Sequence, residues 1–410
     1  MAGILEGMRI VEVSAFIAAP LAGMTLAQMG ADVIRVDPIG GGIDHHRWPL
    51  AASGQSLYWA GLNKGKRSVA LDLRSERGRG LLEALVTAPG ADGGILLTNL
   101  GSSAVPSYEQ LARRRPDVIV VQIIGSPDGT PAVDYTVNCA VGFPGVTGPS
   151  TLTQPVNHVL PAWDMLCGTT AAMAVLAAER QRRACGQGQC VRIALSDVAM
   201  ATAGHLGYLA EAQATGFERG RHGNAVYGSF GRDFATRDGR RVMIVAVTTR
   251  QWSSILAAMD LAGAVTSLET ERRIDCRREA DRWAARESLF ALIETWTVRR
   301  DFGEVKSILD QHDVLWGPYQ SFMQLLAEDP RCSLANPMFA AIDQPGVGPH
   351  LAPGSAAAFS GAERTPVRPA PSLGSHTDEV LAQLLNLDEA ERDRLRAAGI
   401  FGSVAEPPSG

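Results

Sequence analysis

Three short stretches of this 410-residue chain hold the residue types that could do chemistry. In WAGLNKGKRSVALDLR, Lys64, Lys66 and Arg67 fall within four positions and Arg74 stands at the far end of a strand-like run. Cations gathered at a loop-to-strand junction can seat phosphates through charge-assisted N–H donors, although a solvated charged loop would have the same composition. In GILLTNLG, Asn99 and Gly101 follow an apolar run. That is where ligands meet the ends of parallel strands, and equally where a polar residue caps the next helix. In HVLPAWDMLCG, Asp164 opens an Ala-rich helical segment. Asp is a favoured N-cap, and nearby helix N–H groups would hold its carboxylate ionised, so residue type alone makes Asp164 a cap before it makes it a nucleophile.

The histidines add less. His45 and His46 lead into Arg47 and Trp48 just after the turn IGGG, and His158 lies six residues before Asp164. No His-x-x-x-His pair and no Ser/His/Asp order stands out, so neither a metal site nor a hydrolase triad is expected. The run GIDHHRW does sit beside the crevice that the flanking strands should form, within reach of a substrate carboxylate.

The elements that must carry these residues alternate. MRIVEVSAF, ADVIRVDP, SVALDL, GGILLTNL and VIVVQIIG have strand character, and PLAGMTLAQMG, GRGLLEALVTAPG and PSYEQLARRRP have helix character between them. This spacing predicts a parallel, doubly wound sheet with ligands beyond the carboxyl ends of its strands. The segment DMLCGTTAAMAVLAAERQRR is the most helix-prone, its small residues allow a neighbouring helix close, and Gly186 to Gly188 stop it before the strand QCVRIALSD. A glycine-rich stretch at 217–232 leaves this region, RRVMIVAV opens a smaller α+β region, and 343–374 is Pro/Gly-rich without periodicity. One last helix is expected over HTDEVLAQLLNLDEAERDRLRAAG.

Bulk properties narrow the function. Apolar residues at 46% and charged residues at 20% describe a globular protein long enough for two or three domains. A net charge of −5 disfavours nucleic acid as a partner. No run of about 18 apolar residues lacks charge, so no membrane span is expected, and the N-terminus does not read as a signal peptide. The six cysteines form no C-x-x-C pair, which fits reduced thiols in the cytoplasm.

With these residues in view, the chain resembles the family III coenzyme A-transferases. The resemblance rests on SAFIAAPLAGMTLAQMGADVIRVDP, on LNKGKRSVALDL, and on Asp164 ahead of LAAERQRRACGQGQ, three motifs in the family's order across roughly the whole chain. It implies an open Rossmann-like α/β large domain with a parallel sheet plus a smaller α+β domain, two chains forming an interlaced homodimer. The implied domains are residues 1–216 for the first part of the CoA-binding domain, 217–232 for a linker, 233–335 for the small domain, and 336–410 for a return segment completing the large one. Asp164 becomes a nucleophile that forms acyl anhydride and aspartyl-CoA intermediates. CoA contacts fall on Phe16, Ile17 and Ala18, on Leu71, Asp72, Leu73 and Arg74, and on Asn99, Leu100 and Gly101. Coenzyme A arrives as part of a small acyl-CoA substrate, with no permanently bound cofactor. His45, Arg47 and His158 are the candidates for holding a substrate carboxylate. The racemase branch of the superfamily uses a histidine base that falls at Val133 here, and valine carries no proton, so proton abstraction is disfavoured.

Overall fold

The computed structural model describes residues 3–101 and 104–402. The chain forms two compact units: a larger one from the chain up to Val141, His158–Ala210 and the chain from Pro330 onward, and a smaller one from Gly142–Asn157 and Glu211–Asp329. The larger unit begins with β1 (Arg9–Val13), α1 (Ala18–Ala27), β2 (Asp32–Pro38), α2 (Leu57–Leu62), β3 (Arg67–Leu71), α3 (Glu76–Thr87), β4 (Ile95–Thr98), α4 (Tyr108–Arg114), β5 (Ile119–Ile124) and α5 (Asp134–Ala140). After α6 (Phe143–Val146), which belongs to the smaller unit, it resumes with α7 (Ala162–Cys185), β6 (Gln189–Ala194) and α8 (Leu195–His205), followed by α9 (Tyr208–Thr215).

The six strands pair in parallel in the order β3-β2-β1-β4-β5-β6, the doubly wound sheet that the strand–helix alternation predicts. The central strands are apolar on both faces, as covering helices require: every residue of β4 is buried, and Val11, Val13, Ile34, Val36 and Leu96 join one core with Leu81, Leu82 and Leu85 of α3. Strand order turns back between β1 and β4, and loops leaving such a switch point part to leave a crevice.

Two glycines set α7 in place. A Cβ on Gly168 would come 2.6 Å from the Ala18 carbonyl oxygen, so α7 lies directly on the start of α1. Gly186 ends the helix in the left-handed conformation, its N–H donating to the Arg182 carbonyl. The expected close packing of small residues is therefore the device that brings the start of α7 to the loop after β1.

In the smaller unit, β7 (Phe230–Ala235), β8 (Arg241–Ala246) and β9 (Leu315–Tyr319) form an antiparallel sheet in that order. They enclose α10 (Thr249–Met259), α11 (Ala262–Arg272), α12 (Glu279–Ala284), α13 (Arg286–Thr297) and α14 (Phe302–Gln311), with α15 (Phe322–Glu328) beyond β9. Phe230, Phe234, Ile244, Trp252 and Phe290 anchor its core. β7 starts inside the glycine-rich stretch, and VLWGPYQ supplies β9.

The return segment is more ordered than its composition suggests. β10 (Phe339–Gln344) and β11 (Gly348–Pro353) make a hairpin across Gly346 and Gly348, both at positive φ. The expected single last helix is two, α16 (Thr377–Leu385) and α17 (Glu389–Ala397). Asn386 at φ 55° ends the first, and Asp388 caps the second through the Glu391 N–H. The segment closes the sheet's edge: the Ser68 carbonyl accepts from the His376 N–H, the Ala70 N–H donates to Thr377 Oγ1, and the Asp72 N–H donates to the Ile400 carbonyl.

Three of the four cations read as a possible phosphate seat, Lys64, Lys66 and Arg67, are structural. Lys66 is fully buried, its Nζ 2.8 Å from Glu12 Oε1, 2.8 Å from Asn63 Oδ1 and 2.9 Å from the Pro20 carbonyl. Burial pulls it down to about 8 against the attraction of Glu12. Lys64 is buried and bonds the Gly61 carbonyl, while Arg67 grips Asp32 with two N–H groups. The strand interior claims these side chains because their partners, Glu12 and Asp32, lie on β1 and β2. Beside them Arg35 binds Asp37 and Asp44 and reaches Asn63 and the Ser14 carbonyl, with all four side-chain groups buried. Burial opposes its charge, but Asp37, Asp44 and Glu12 raise its affinity for the proton further.

Candidate active site

Asp164 is the third residue of α7 and not its cap; Pro161 holds the cap position and offers no side-chain bond. The cap comes from another helix. Asp134, the first residue of α5, accepts on Oδ2 the N–H groups of Trp163 at 2.8 Å and of Asp164 at 3.1 Å. Its Oδ1 lies 2.6 Å from Nε2 of His158, and the carboxylate is buried. A second link, Trp163 Nε1 to Asn138 Oδ1 at 3.1 Å, ties the two helices one turn further on. The first free N–H groups of α7, which would stabilise any nearby anion, are thus satisfied by Asp134.

Asp164 itself is half-buried, and among the described residues nothing hydrogen-bonds its carboxylate oxygens. Burial, followed by the negative charge of Asp134, pushes its carboxyl up to about 6, while Arg47 pulls the other way. The shift runs opposite to the one expected from nearby helix N–H groups, since Asp134 occupies them. One turn along, the Cys167 thiol is pushed up to about 12 by burial and by Asp164, which leaves it protonated and a poor competitor as nucleophile.

Arg47 faces this carboxylate from the loop before α2. Its guanidinium carbon lies 5.4 Å from the Phe16 ring centre and 5.1 Å from that of Tyr58, a cation held between aromatic faces. Among the described residues no carboxylate sits within ion-pair distance of it. Phe16 holds a left-handed backbone, φ 65°, in the loop leaving β1, an uncommon conformation for a bulky residue. Asn99 at the end of β4 pins that loop: its Oδ1 accepts the Ala15 N–H at 2.9 Å and its Nδ2 donates to the Ala15 carbonyl at 2.7 Å. The switch-point crevice is therefore shaped by a side-chain amide bridging both strands.

The other residues expected from sequence distribute unevenly. Ile17 and Ala18 are buried at the start of α1, leaving Phe16 as the exposed side chain of its trio. Leu71 is buried in the core, Leu73 and Leu100 pack against it, and Gly101 is exposed. Asp72 holds Arg74 through Oδ1 at 3.1 Å, and Arg74 is otherwise open to solvent. His158 reaches the Asp164 surroundings through Asp134. His45 does not: its ring lies 4.2 Å from that of Trp59, and its Nε2 is 3.5 Å from Asp37. Two residues of this neighbourhood went unread in the sequence. Asp134 stands next to Val133 in PAVDYTVN, where an acidic residue opening a helix is the available signal. Tyr58 precedes WAGLNKGKR; its hydroxyl is buried without a hydrogen bond and pushed up to about 12, chiefly by burial, with Asp164 and Asp44 adding against Arg47. No group of three or more His, Cys, Asp or Glu side chains able to hold a metal occurs among the described residues, and no described helix is long and apolar enough to cross a membrane.

A half-buried carboxylate with free oxygens, raised basicity and an unpaired guanidinium opposite can attack an acyl carbonyl while a second carboxylate is held nearby. The chain is 51% identical over 401 residues to 2-methylfumaryl-CoA isomerase of Chloroflexus aurantiacus, covering 98% of both chains. It is 27% identical to succinyl-CoA–D-citramalate CoA-transferase of the same organism, over 97% of this chain and 98% of that one. The fold matches a CAIB/BAIF family protein from Brucella suis with a TM-score of 0.77 at 24% identity, over 94% of this chain and all of that one. The model of CoA-transferase family III spans residues 5–377, and with the near full-length identity it settles descent: the chain belongs to CoA-transferase family III.

Proposed function

We propose that the enzyme converts 2-methylfumaryl-CoA into 3-methylfumaryl-CoA, moving CoA from one carboxyl group of 2-methylfumarate to the other with Asp164 as nucleophile. The half-buried Asp164 carboxylate, free of hydrogen bonds and opposed by Arg47, carries this reading; the 51% identity to an isomerase of that name supports the choice of acid.

The chemistry explains why a protein carboxylate takes part. The two carboxyl groups are trans across a double bond, so the free one cannot reach the thioester to close a cyclic anhydride. An Asp164 oxygen attacks the C1 thioester carbon; the C–O bond forms, the C–S bond breaks and sulfur leaves with the electron pair as CoA thiolate. The thiolate then attacks the aspartyl carbonyl, giving aspartyl-CoA and free 2-methylfumarate. The C4 carboxylate attacks the aspartyl-CoA carbonyl, the C–S bond breaks and CoA thiolate leaves again, giving a second anhydride; thiolate attack at C4 then releases product and restores the Asp164 carboxylate. Arg47 holds the carboxylate that is not reacting, and His158 acts on the site through Asp134. His45, stacked on Trp59, supports the loop that carries Arg47. CoA lies along Phe16 to Ala18, Asn99 to Gly101 and Leu71 to Arg74, with Arg74 as the exposed cation for its phosphates. Two chains assemble as an interlaced homodimer in the cytoplasm, and glyoxylate assimilation is the metabolic setting this reaction implies.

The test is mass spectrometry and NMR of the products formed from 2-methylfumaryl-CoA with labelled free 2-methylfumarate present. The expected product is the unlabelled C4 thioester. Extensive label in the thioester pool would replace this reading with transfer between separate acids, the activity named for the 27% identical relative.

A further inference from the structure

Asp134 makes contacts that a simple helix cap does not need. One oxygen takes two N–H groups at the start of α7, including that of Asp164, and the other takes His158. The carboxylate is buried and held from three sides, so it cannot turn away from Asp164 or meet solvent. Two carboxylates on neighbouring helices are thereby fixed close together, and the cation Arg47 opposes the effect of Asp134 on Asp164.

We infer that Asp134, held by His158, is a positioning residue for acyl transfer: it fixes the backbone of Asp164 by capping α7, and its charge makes the free Asp164 carboxylate costly relative to the acylated side chain. The inference rests on Asp164 being the nucleophile. When an Asp164 oxygen bonds to the acyl carbon and the C–S bond breaks, the negative charge leaves with sulfur, and the repulsion from Asp134 is relieved. When thiolate or carboxylate releases the acyl group, the repulsion returns. A relay through two anhydrides and a thioester runs fastest when none of these states is a deep well or a high peak. A fixed charge that lifts the free carboxylate narrows the gap to the acylated states. The direction of the Asp164 shift, upward with Asp134 as the second cause after burial, agrees with this geometry.

The groups facing Asp164 are few. Asp134 comes from α5 with His158 behind it, Arg47 and Tyr58 come from the loop before α2 and from α2, and Cys167 lies on α7 itself. α1, packed along α7, has no titratable residue. The other elements packed against α7 carry Asp197 and His205 on α8 and Cys190 and Arg192 on β6.

Asp134→Asn tests the charge while keeping an oxygen for the two N–H groups; Asp134→Ala removes both. The measurements are kcat/KM against pH with 2-methylfumaryl-CoA, mass spectrometry of the aspartyl-CoA adduct, and the thermal midpoint of the full-length protein. In Asp134→Asn the acidic limb should move down by about half to one pH unit and kcat should fall about tenfold. The midpoint should stay close to wild type. Asp134→Ala should lose about 100-fold in kcat with a lower midpoint, and if it does not fold the Asn variant still carries the test. A merely structural cap would leave the acidic limb in place. If Asp134→Asn forms the adduct on Asp164 with an unmoved limb, the inference is wrong and the nucleophile stands. If wild type yields no adduct on Asp164 and Asp164→Ala stays active, the nucleophile reading fails and takes this inference with it.

Discussion

The larger unit contains two gatherings of carboxylates and cations, and they are finished differently. Behind β1, β2 and β3, Glu12, Asp37 and Asp44 meet Arg35 and Lys66 with nearly every polar atom satisfied and all five side chains buried. At the start of α7, Asp134 is equally satisfied, but the carboxylate of Asp164 beside it is given no hydrogen bond among the described residues and feels Arg47 only through its charge. Residue types barely differ between the two. What differs is whether the last carboxylate is paired, and an unpaired one keeps its basicity available for an acyl carbon. Full pairing makes scaffold, and one omitted pair leaves a carboxylate available for the nucleophilic role proposed above.

Substitutions should separate the two groups cleanly. The largest effect is expected for Asp164→Ala, which should lower kcat by at least about 10⁴-fold, the scale seen when a nucleophile is removed, without lowering the thermal midpoint; retained turnover would place the chemistry elsewhere. Arg35→Leu should do the reverse, costing about 3–5 kcal/mol in denaturant unfolding because it strands buried carboxylates. A folded, wild-type-stable Arg35→Leu protein would mean the cluster is held by something other than its charges. Arg47→Met should leave stability within about 0.5 kcal/mol and lower kcat/KM about 100-fold, the value of one charge-assisted carboxylate contact. Steady-state kinetics that barely change would remove Arg47 from the substrate.

The smallest effect concerns stability and pH. The Asp164 carboxyl is raised in the folded state to about 6, so the native protein binds more protons than the unfolded chain between about pH 4 and 6. Stability therefore falls as pH rises through that window, and the cost is fully present at pH 7. Asp164→Asn should gain about 1–2 kcal/mol at pH 7, below the ceiling of about 3 kcal/mol for a two-unit shift because the site is partly solvated. The gain should vanish below about pH 4. An Asp164→Asn protein no more stable than wild type at pH 7 would count against Asp164 being held uncomfortably.

The parallel sheet was legible because strand and helix periods alternate up to β5 except between β2 and β3, where the short α2 was not read, and Asp164 was legible through the motif around it. What escaped notice depended on pairing at a distance. Lys66 looks like a ligand-binding cation until Glu12, 54 positions earlier, is found against its Nζ. Asp134 reaches its role only by meeting a backbone 30 residues on. β10 and β11 hide in a Pro/Gly-rich stretch because the residues that suggest disorder also build their turn, and the break after Leu385 needs a left-handed Asn386 that periodicity overlooks.

The closing of β3 by His376, Thr377 and Ile400 has a consequence for biosynthesis. During translation the exposed edge of β3 must wait for more than 300 further residues, including the whole smaller unit, before its partners leave the ribosome. For that interval an apolar parallel strand presents open N–H and C=O groups, the situation in which nascent chains pair with each other or call on chaperones. Truncations that stop short of His376 leave that edge permanently open, and those that stop short of Ile400 free the Asp72 N–H, so the last helices of the chain guard the first hundred residues against such pairing.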